Sequence, residues 1–426
     1  MKRLSILLLL LCSATATYAK PKPLKKLTVT VDAAGFERKN PIASLDMNVY
    51  EFDGKTISVK QITDSGTEPC TSQIEDYDGK KTLYWRINGN MEADATLSFV
   101  VEITPEQPLS EPVMQAKIEK EGTIVLTRKG TPILAYNTRM SRLPHGVDPA
   151  YSRNGYIHPA WSPSGYILTD VSPEDHAHHY GFWNPWTSVD YDGEHYDLWN
   201  IGDKTGTVLL DSVVRTSAGD LFADLLVTHK HIIFQKQQER TYVNVDNIVT
   251  ITPKKRVTIL NELLDVRAWD NGEGIFVWDF ISDQAPATDL PVVLSAYRYG
   301  GFCWRANPEF DNDNVRMLSS EGKGRKEIDA TKARWIVTTA DTEQGAKSVL
   351  MMSYPENHAY PEPLRVWDSG KVMVNYAPSK FEDWTMEPGQ NYRLKYRVVT
   401  SDREITATEA ERLWTEFACP VKVTVK

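Results

Sequence analysis

Apolar and polar residues alternate with a period of two over many short segments of this chain. In the first quarter of the sequence, the segments with this pattern are residues 27–31, 47–52, 57–62, 82–87 and 95–103. Successive side chains of a β-strand point to opposite faces, so the alternation predicts half-buried strands. Turn residues such as Asp78-Gly79 separate the segments. Residues 20–104 are therefore predicted to form a small N-terminal β-sandwich.

A proline-rich stretch, residues 105–115, separates this region from a second and larger one. Its three prolines predict a stiff linker. Beyond it the pattern predicts single strands at residues 166–169 and 274–281, a last strand at 391–400, and the hairpins 207–215 with 221–234, 240–252 with 256–269, 334–339 with 347–354, and 364–367 with 371–376. A β-region of about 310 residues exceeds an ordinary seven-strand sandwich. Residues 116–426 are therefore predicted to form a large antiparallel β-supersandwich.

One helix is predicted near the C-terminus, in a chain that is otherwise all-β. Thr408 and Glu411 have the Ser/Thr-x-x-Glu spacing of a capping box. The apolar residues that follow at helical spacing are Ala410, Leu413, Trp414 and Phe417. This single apolar stripe predicts an amphipathic helix packed across a sheet.

The first nineteen residues have the pattern of a secretory signal peptide. Lys2 and Arg3 form a basic start, residues 4–11 are an apolar run, and Thr17-Tyr18-Ala19 offers a small-residue cleavage site. The mature chain is therefore expected in the periplasm or outside the cell. Lipid anchoring at Cys12 is the less favoured alternative because Leu11 is not small. No other run approaches the ~18 apolar residues of a transmembrane helix.

Charge and cysteine content narrow the function further. The net charge is −9 at pH 7, and loss of Lys2 and Arg3 would make it more negative. An acidic chain without a basic patch argues against nucleic-acid binding. Three cysteines remain after the signal peptide, namely Cys70, Cys303 and Cys419. Their spacing fits no metal site, and they allow one disulfide at most.

Histidines are concentrated in the middle of the chain. Eight of the nine lie between His145 and His231. Three of them belong to the run Asp175-His176-Ala177-His178-His179, which Pro173 and Gly181 predict to be a loop. Neutral imidazoles beside a carboxylate can bind a divalent metal, or one histidine can act as a general acid or base. Histidines on the surface or satisfied by carbonyls are the third alternative.

Tryptophans accompany these histidines. Those of this stretch are Trp161, Trp183, Trp186 and Trp199. Flat indole faces suit the C–H faces of sugar rings, and core packing is the alternative for some of them. His158 precedes Pro159, which favours extended backbone, and could face the same pocket.

Further along the chain, other polar residues interrupt predicted strands. His229 and His231 are two apart, so both rings share one face of a strand, where they either contact the ligand or belong to a polar outer face. Arg298 and Arg305 flank Gly300-Gly301 and could clamp a carboxylate or a pair of sugar hydroxyls, or could belong to a bulged strand. Glu262 and Asp279 are carboxylates in apolar strands. A buried carboxylate needs a partner, so each is either ion-paired or a site residue.

Several of these motifs together resemble a known family. Tyr-Ile-His-Pro at residues 156–159 and Asp-His-x-His-His-x-Gly-Phe-Trp at residues 175–183 are similar to a secreted bacterial family labelled "methane oxygenase PmoA-like", over roughly residues 116–418. The resemblance implies a setting of polysaccharide use and marks as site residues Asp175, His176, His178, His179 and Trp183. The layout is also similar to galactose-mutarotase-type supersandwiches, in which a histidine acid and a carboxylate base act on a sugar ring.

Three functions follow as hypotheses, each with a carbohydrate as the expected ligand. The first is a carbohydrate-active enzyme, a hydrolase, lyase or isomerase, with His178 or His179 as general acid and Glu262 or Asp279 as base. The second is a non-catalytic glycan-binding protein. The third is a metal-dependent enzyme with a divalent ion at the histidine loop.

Overall fold

The computed structural model describes residues 22–23, 26–52, 56–104, 111–143, 145–243 and 248–426. The predicted signal peptide, residues 1–19, and residues 105–110 of the predicted linker lie outside the described residues.

The N-terminal region consists of short strands around a small core of its own. They are β1 Lys22–Pro23, β2 Lys26–Asp32, β3 Arg38–Lys39, β4 Ile42–Asp46, β5 Tyr50–Glu51, β6 Thr56–Thr63, β7 Gly66–Cys70, β8 Ser72–Tyr77, β9 Lys80–Arg86, β10 Asn90–Met91 and β11 Thr96–Thr104. The core includes Val29, Val31, Trp85 and Phe99, all fully buried. These residues come from alternate positions of their strands, as the period-two pattern predicts.

The larger region follows with longer strands and one α-helix. Its elements are β12 Met114–Ile118, β13 Thr123–Arg128, β14 Thr131–Asn137, β15 Tyr156–Ala160, β16 Phe182–Trp183, β17 Val189–Tyr191, β18 Glu194–Tyr196, β19 Gly206–Ser217, β20 Phe222–Lys236, β21 Arg240–Val243, β22 Ile248–Ile251, β23 Lys254–Trp269, β24 Phe276–Pro286, β25 Val292–Leu294, β26 Cys303–Arg305, β27 Val315–Ser319, β28 Trp335–Thr342, β29 Gly345–Ser353, β30 Leu364–Val366, β31 Met373–Tyr376, β32 Trp384–Met386, β33 Tyr392–Ser401, α1 Ala407–Ala418 and β34 Lys422–Val425, with 3₁₀ turns at Pro149–Tyr151 and Ile201–Asp203.

Two eight-stranded sheets form the body of the larger region. One has the order β12-β13-β14-β15-β16-β26-β31-β30, and the other has the order β19-β20-β23-β24-β33-β29-β28-β27. Aromatic side chains of the two sheets meet in the core, where the ring of Phe182 packs edge-on against Trp278 at 4.9 Å. The predicted all-β class with one C-terminal helix is confirmed. Among the described residues, no helix has the length and hydropathy that a membrane span requires.

Most predicted hairpins are present, and two predicted strands are wrong. β28 pairs with β29, and β30 with β31, as predicted. Residues 166–169 make only isolated bridges, such as Thr169 with Ala306. Residues 240–252 do not form one strand, because β21 and β22 fold back on each other as a separate hairpin. Periodicity alone does not report such a reversal.

The C-terminal helix is present, and its predicted cap is wrong by two residues. The side chain of Thr406, rather than Thr408, caps α1 by accepting a hydrogen bond from the backbone N–H of Glu409 at 3.3 Å. Glu411 instead accepts from Trp335, the first residue of β28, and from Arg334, which precedes it. The apolar stripe is as predicted. Its buried members are Ala410, Leu413 and Phe417, with Trp414 partly buried.

After the helix the chain returns to the N-terminal sheet. β34 pairs antiparallel with β2, so the last strand closes the five-stranded sheet β34-β2-β11-β6-β7. Ion pairs also join the two regions. Glu75 on β8 accepts hydrogen bonds from Arg267 at 2.5 Å and Arg215 at 2.6 Å. The three cysteines in the described residues are free thiols.

Candidate functional site

The histidine-rich run lies on the connection between β15 and β16, near the middle of one eight-stranded sheet. The N–H of His176 donates to the carbonyl of Pro173, and that of His179 donates to the carbonyl of His176, both at 3.0 Å. These two turns fold the run back so that β16 can pair with β15 and β26. The loop is therefore fixed at both ends by the sheet.

The loop forms one wall of an open cleft with a volume of about 540 Å³. The loops after β18 and β25 and the hairpin of β30 and β31 supply the rest. The residues that line it are Asp175, His176, His178, His179, Trp199, Asn200, Arg298, Tyr299, Arg365, Trp367, Ser369, Gly370, Lys371 and Met373. A cleft of this size, with flat apolar faces and a few convergent polar groups, is typical of a small-ligand site.

The three histidines of the loop, termed the loop cluster, pack against one another and against indoles. The ring of His176 stacks on His179 at 4.7 Å, and His178 meets His179 edge-on at 4.8 Å. The indole of Trp367 lies 4.7 Å from the ring of His176. Trp199 meets His179 edge-on at 5.9 Å. The cleft therefore combines imidazole nitrogens with indole faces.

Asp175 is the one carboxylate among the residues that line the cleft, and it is held by an arginine. Nη2 of Arg305, itself 1% exposed, donates to Oδ1 and Oδ2 of Asp175 at 2.7 and 2.8 Å. Burial acts to raise the pKa of Asp175, but the bonds from Arg305 outweigh it and the pKa is lowered. Asp175 is thus ionised, and its carboxylate balances the charge of the buried guanidinium of Arg305.

Two imidazoles of the loop cluster, those of His178 and His179, are poor proton donors at neutral pH. Burial lowers the pKa of His178 to about 4, and the charge of His176 adds to the shift. Burial also lowers the pKa of His179 well below its usual value. A ring that is neutral at pH 7 accepts a proton, so the geometry favours a general base over the predicted general acid.

Several buried donors around the cleft have no hydrogen-bond partner among the described residues. They are Nδ1 of His179, Nε1 of Trp183, Nε1 of Trp199, and Nε and Nη1 of Arg305. Buried polar groups are normally paired, because an unpaired one costs about 1–3 kcal/mol. A concentration of such donors beside an open cleft is what a site for a hydroxyl-rich ligand requires.

Glu262 and the histidines of β20 lie elsewhere, in the core between the two large sheets. Nδ1 of His229 and Nε2 of His231 lie 2.8 and 3.2 Å from the same oxygen of Glu262. Ser282 donates to the other oxygen at 2.5 Å. We term His229, His231 and Glu262 the interior cluster. The predictions that Glu262 is a base at the histidine loop, and that His229 and His231 contact the same ligand, are wrong because strand register pairs them with one another.

Asp279 is also wrong as a base at this site. Arg397 on the neighbouring strand donates to both its oxygens, at 2.6 and 2.9 Å, and the indole of Trp269 donates to it at 2.8 Å. It therefore serves as an ion-paired group of β24, and it does not line the cleft.

The remaining predicted ligand contacts divide between the cleft and the core. Trp199 and Arg298 line the cleft, and Trp183 is buried behind His179 with ring centres 5.2 Å apart. Trp186 packs in the main core, where its indole N–H donates to Gln284 at 2.8 Å.

Trp161 and His158 also lie outside the lining of the cleft. The carbonyl of Trp161 accepts from Thr400 at 2.9 Å, and Nδ1 of His158 lies 2.9 Å from the hydroxyl of Thr169. Both are satisfied by neighbouring segments of the fold.

Comparison with known protein families matches the part of the chain that contains the cleft. A family model described as "Family of unknown function (DUF6807)" matches residues 123–415. The chain belongs to the DUF6807 family. Every residue that lines the cleft falls within the matched segment, whereas strands β1 to β11 fall outside it. A search of curated proteins finds no match.

Solved structures resemble the DUF6807 protein only distantly. An α-mannosidase from Enterococcus faecalis V583 is 8% identical, with a TM-score of 0.44 over 94% of this chain and 46% of that one. A glycosyl hydrolase family 38 protein from Enterococcus faecalis is 9% identical, with a TM-score of 0.46 over 94% and 47%. A GH36 α-galactosidase, AgaB from Geobacillus stearothermophilus, is 11% identical, with a TM-score of 0.27 over 69% and 39%. The chain spans less than half the length of these proteins.

A divalent metal at the loop cluster would need ligand atoms that converge on one point. Among the described residues, one group of three acidic, histidine or cysteine side chains has its ligand atoms within 4.8 Å of one another, and it is Glu75, Asp224 and Asp265. The loop cluster is not such a group. In that acidic group, Arg267 binds all three carboxylates at 2.5 to 3.1 Å, which compensates their charge. Metal at the histidines stays a prediction, which metal analysis of the purified protein tests.

Sequence reasoning does not find the residues that loops after β25 and β30 bring to the cleft. Trp367 and Tyr299 are the main ones. The predicted hairpin at 364–376 places Trp367 beside a turn, and Tyr299 precedes the glycine pair. Neither feature of the sequence shows that Trp367 and Tyr299 lie beside the histidine loop, because that depends on the pairing of β26 with β31 across the sheet.

Proposed function

We propose that this DUF6807 protein is a secreted carbohydrate-active enzyme that binds a glycan in the histidine cleft and acts on a sugar ring by proton transfer. The observation that carries the proposal is the joint placement of indole faces, neutral imidazoles and unpartnered buried donors around one cleft. Indoles pack against sugar C–H faces, and N–H donors serve sugar hydroxyls.

The charges of the cleft bear on the type of reaction. Glycoside hydrolysis commonly uses two carboxylates on either side of the scissile bond. Asp175 is the one carboxylate among the described residues that line this cleft, and Arg305 already binds it. His178 is half-buried, faces the cleft and is neutral at pH 7 because its pKa is lowered to about 4, so we assign it the role of the base. A base that removes a ring proton fits elimination or isomerisation better than hydrolysis.

Three further expectations belong to the proposal. The N-terminal pattern of residues 1–19 supports export to the periplasm or beyond. The motifs at residues 156–159 and 175–183 support the PmoA-like resemblance, and with it a setting of polysaccharide use. The supersandwich layout supports a likeness to galactose mutarotases, whose histidine and carboxylate act on sugar rings.

The test is turnover of a glycan panel by the purified protein and by His178→Ala. We expect turnover to fall about 10²- to 10⁴-fold, the usual worth of a positioned acid or base, with glycan affinity changed only a few-fold. His195→Ala is the matched control, because His195 is exposed, pairs with Asp190 and lies outside the cleft. Turnover by His178→Ala at the wild-type rate would overturn the proposed base.

The pH profile gives a second readout. The catalytic base must be neutral, so turnover should persist to low pH and fall only as pH drops through about 4, the pKa of His178. An acid role would instead require the protonated ring, and turnover would already be lost above that pH. The pH at which turnover is lost therefore distinguishes a general base at His178 from a general acid.

Glycan binding without catalysis is the second candidate. The observation that favours it is the lack of a free carboxylate among the residues that line the cleft, since Asp175 is occupied by Arg305. In that case the panel yields ligands and no products. Binding that survives in His178→Ala, with no turnover by the wild type, would establish this alternative.

A further inference from the structure

One wall of the cleft carries more positive charge than its carboxylates compensate. Nη1 of Arg365 binds Asp329 at 2.8 Å, and Nζ of Lys380 lies 3.6 Å from the same carboxylate. Nζ of Lys380 also donates to the backbone carbonyl of Arg298 at 3.0 Å. Two cations thus share Asp329, and Lys380 ties them to the backbone of Arg298. Burial lowers the pKa of Lys380, Asp329 opposes this, and Arg365 and Arg298 lower it further, which agrees with crowded positive charge.

Arg298 is the member of this wall that is available to a ligand. It is exposed, it lines the cleft, and it makes no ion pair within the residues that the structure describes. Its guanidinium lies over the rings of Tyr297 and Tyr299, at 5.9 and 5.5 Å from their centres. Stacking on aromatic rings orients the planar fork and leaves its N–H donors for another partner.

The opposite wall does not balance this charge. Asp175 is paired with Arg305, which keeps two of its own buried donors unpartnered. The charged lining residues are Arg298, Arg365, Lys371 and Asp175. Arg365 and Lys371 have carboxylate partners outside the lining, Asp329 at 2.8 Å and Asp311 at 3.9 Å. Among the described lining residues, Arg298 is therefore the cation that no carboxylate pairs, in a chain whose net charge is −9. An uncompensated cation at the wall of a cleft attracts an anionic ligand.

We propose that the cleft selects an acidic sugar, with the carboxylate of a uronic acid bound by Arg298 and the sugar ring packed against Tyr299 and Trp367, two partly exposed rings of the lining. The inference rests on the proposed function and names the substrate class of the same site. Arginine matches a planar carboxylate through two parallel hydrogen bonds, and a neutral hydroxymethyl group in that place gains no such pair.

The experiment compares uronic-acid oligosaccharides with the same oligosaccharides after reduction of their carboxyl groups to alcohols. The probes are oligogalacturonate, oligoglucuronate and oligomannuronate, and affinity is measured by titration calorimetry at low and physiological salt. For at least one of the three we expect the acidic form to bind about tenfold to a hundredfold more tightly than its reduced form. The preference should shrink as salt rises.

Arg298→Gln localises the effect. It should lower the affinity for the acidic form about tenfold and leave the affinity for the reduced form unchanged. Arg256→Gln is the matched control, because Arg256 is also exposed, also lies over an aromatic ring, that of Phe234 at 6.0 Å, and is outside the cleft. An acidic preference that survives in Arg298→Gln would overturn the assignment to this wall.

The outcomes separate the two proposals. Equal binding of acidic and reduced forms, or binding of neutral glycans alone, overturns the acidic specificity and leaves the proposed function standing. Failure of every acidic and neutral glycan to bind overturns both.

Discussion

Two histidine clusters of this protein have similar sequence patterns and opposite environments. In the interior cluster, His229 and His231 share one oxygen of Glu262, which is 2% exposed. In the loop cluster, the rings contact one another and Trp367 at the wall of an open cleft. The nearest carboxylate there, Asp175, is bound by Arg305.

The difference lies in which partner each imidazole has. Burial acts to raise the pKa of Glu262, but the two histidines outweigh it and the pKa falls well below its usual value. The interior cluster is therefore a buried network that joins β20, β23 and β24, in which Nδ1 of His231 has no hydrogen-bond partner among the described residues. The loop cluster keeps donors without partners beside solvent, which suits it to a ligand. The hydrogen-bond partners of the histidines and their access to solvent, rather than their number, therefore distinguish the structural cluster from the functional one.

The largest predicted effect concerns the interior cluster. Glu262→Gln removes the charge that both imidazoles and Ser282 contact. Loss of one partner of a buried ionic network costs about 3–5 kcal/mol, so the free energy of unfolding should fall by that amount. Urea denaturation measures it. Glu68→Gln, at an exposed position of β7, should change stability by less than ~0.5 kcal/mol.

The same variant should leave glycan affinity within a few-fold of wild type, measured well below its denaturation midpoint. The comparison between the two clusters breaks if Glu262→Gln is nearly as stable as wild type, or if it loses glycan binding while still folded. The first result would show that the interior cluster does not stabilise the fold, and the second would place it in the functional site.

Sequence reasoning reached the fold class and the loop cluster, and it failed at contacts set by strand register. The period-two pattern is local, so strands and the amphipathic helix could be predicted. A carboxylate at Glu262 within an apolar strand correctly indicates a buried partner. The partner is His229 because β20 and β23 place these two residues opposite each other. That register is a property of the whole sheet, and no local pattern reports it.

The cleft shows the same limit. Asp175 and the three histidines are close in sequence, so their shared location could be predicted. Trp367 comes from a hairpin nearly two hundred residues later, and Arg298 from another loop. They meet because β16, β26, β31 and β30 are successive strands of one sheet. Their loops then lie side by side, which requires knowledge of the strand order.

A second prediction concerns acid sensitivity and the loop cluster. The pKa of His178 is lowered to about 4 by burial, and its usual value is about 6.5. Between these values the unfolded chain binds a proton that the folded chain does not, so the free energy of unfolding should fall as pH drops from about 6.5 to 4. The expected contribution is on the order of 2 kcal/mol, reduced because the ring is half-buried.

Urea denaturation at several pH values tests this, with His178→Gln as the comparison. The glutamine does not titrate, so its stability should depend less on pH in this window, and the two curves should converge toward pH 4. His158, whose pKa burial also lowers to about 4, remains in both proteins and cancels. Parallel curves for the wild type and the variant would show that the ring of His178 is solvated and not constrained by the loop.

The smallest predicted effect concerns the aromatic face of the cleft. Trp367→Ala removes the indole that lies 4.7 Å from His176 and 5.0 Å from the guanidinium of Arg305. Loss of one stacking surface for a sugar ring should weaken glycan binding by about 1 kcal/mol, which is roughly fivefold. Phe36→Ala, at a ring that is 42% exposed in the N-terminal region, is the control and should leave affinity unchanged. Titration calorimetry measures the glycan affinity of both variants. Because Trp367 is only partly buried against the aromatic cluster behind the cleft, its removal should lower stability less than Glu262→Gln does while affinity falls. Equal losses of stability and affinity would mean that the indole is a part of the core, and the cleft would then lack the face against which a sugar is proposed to pack.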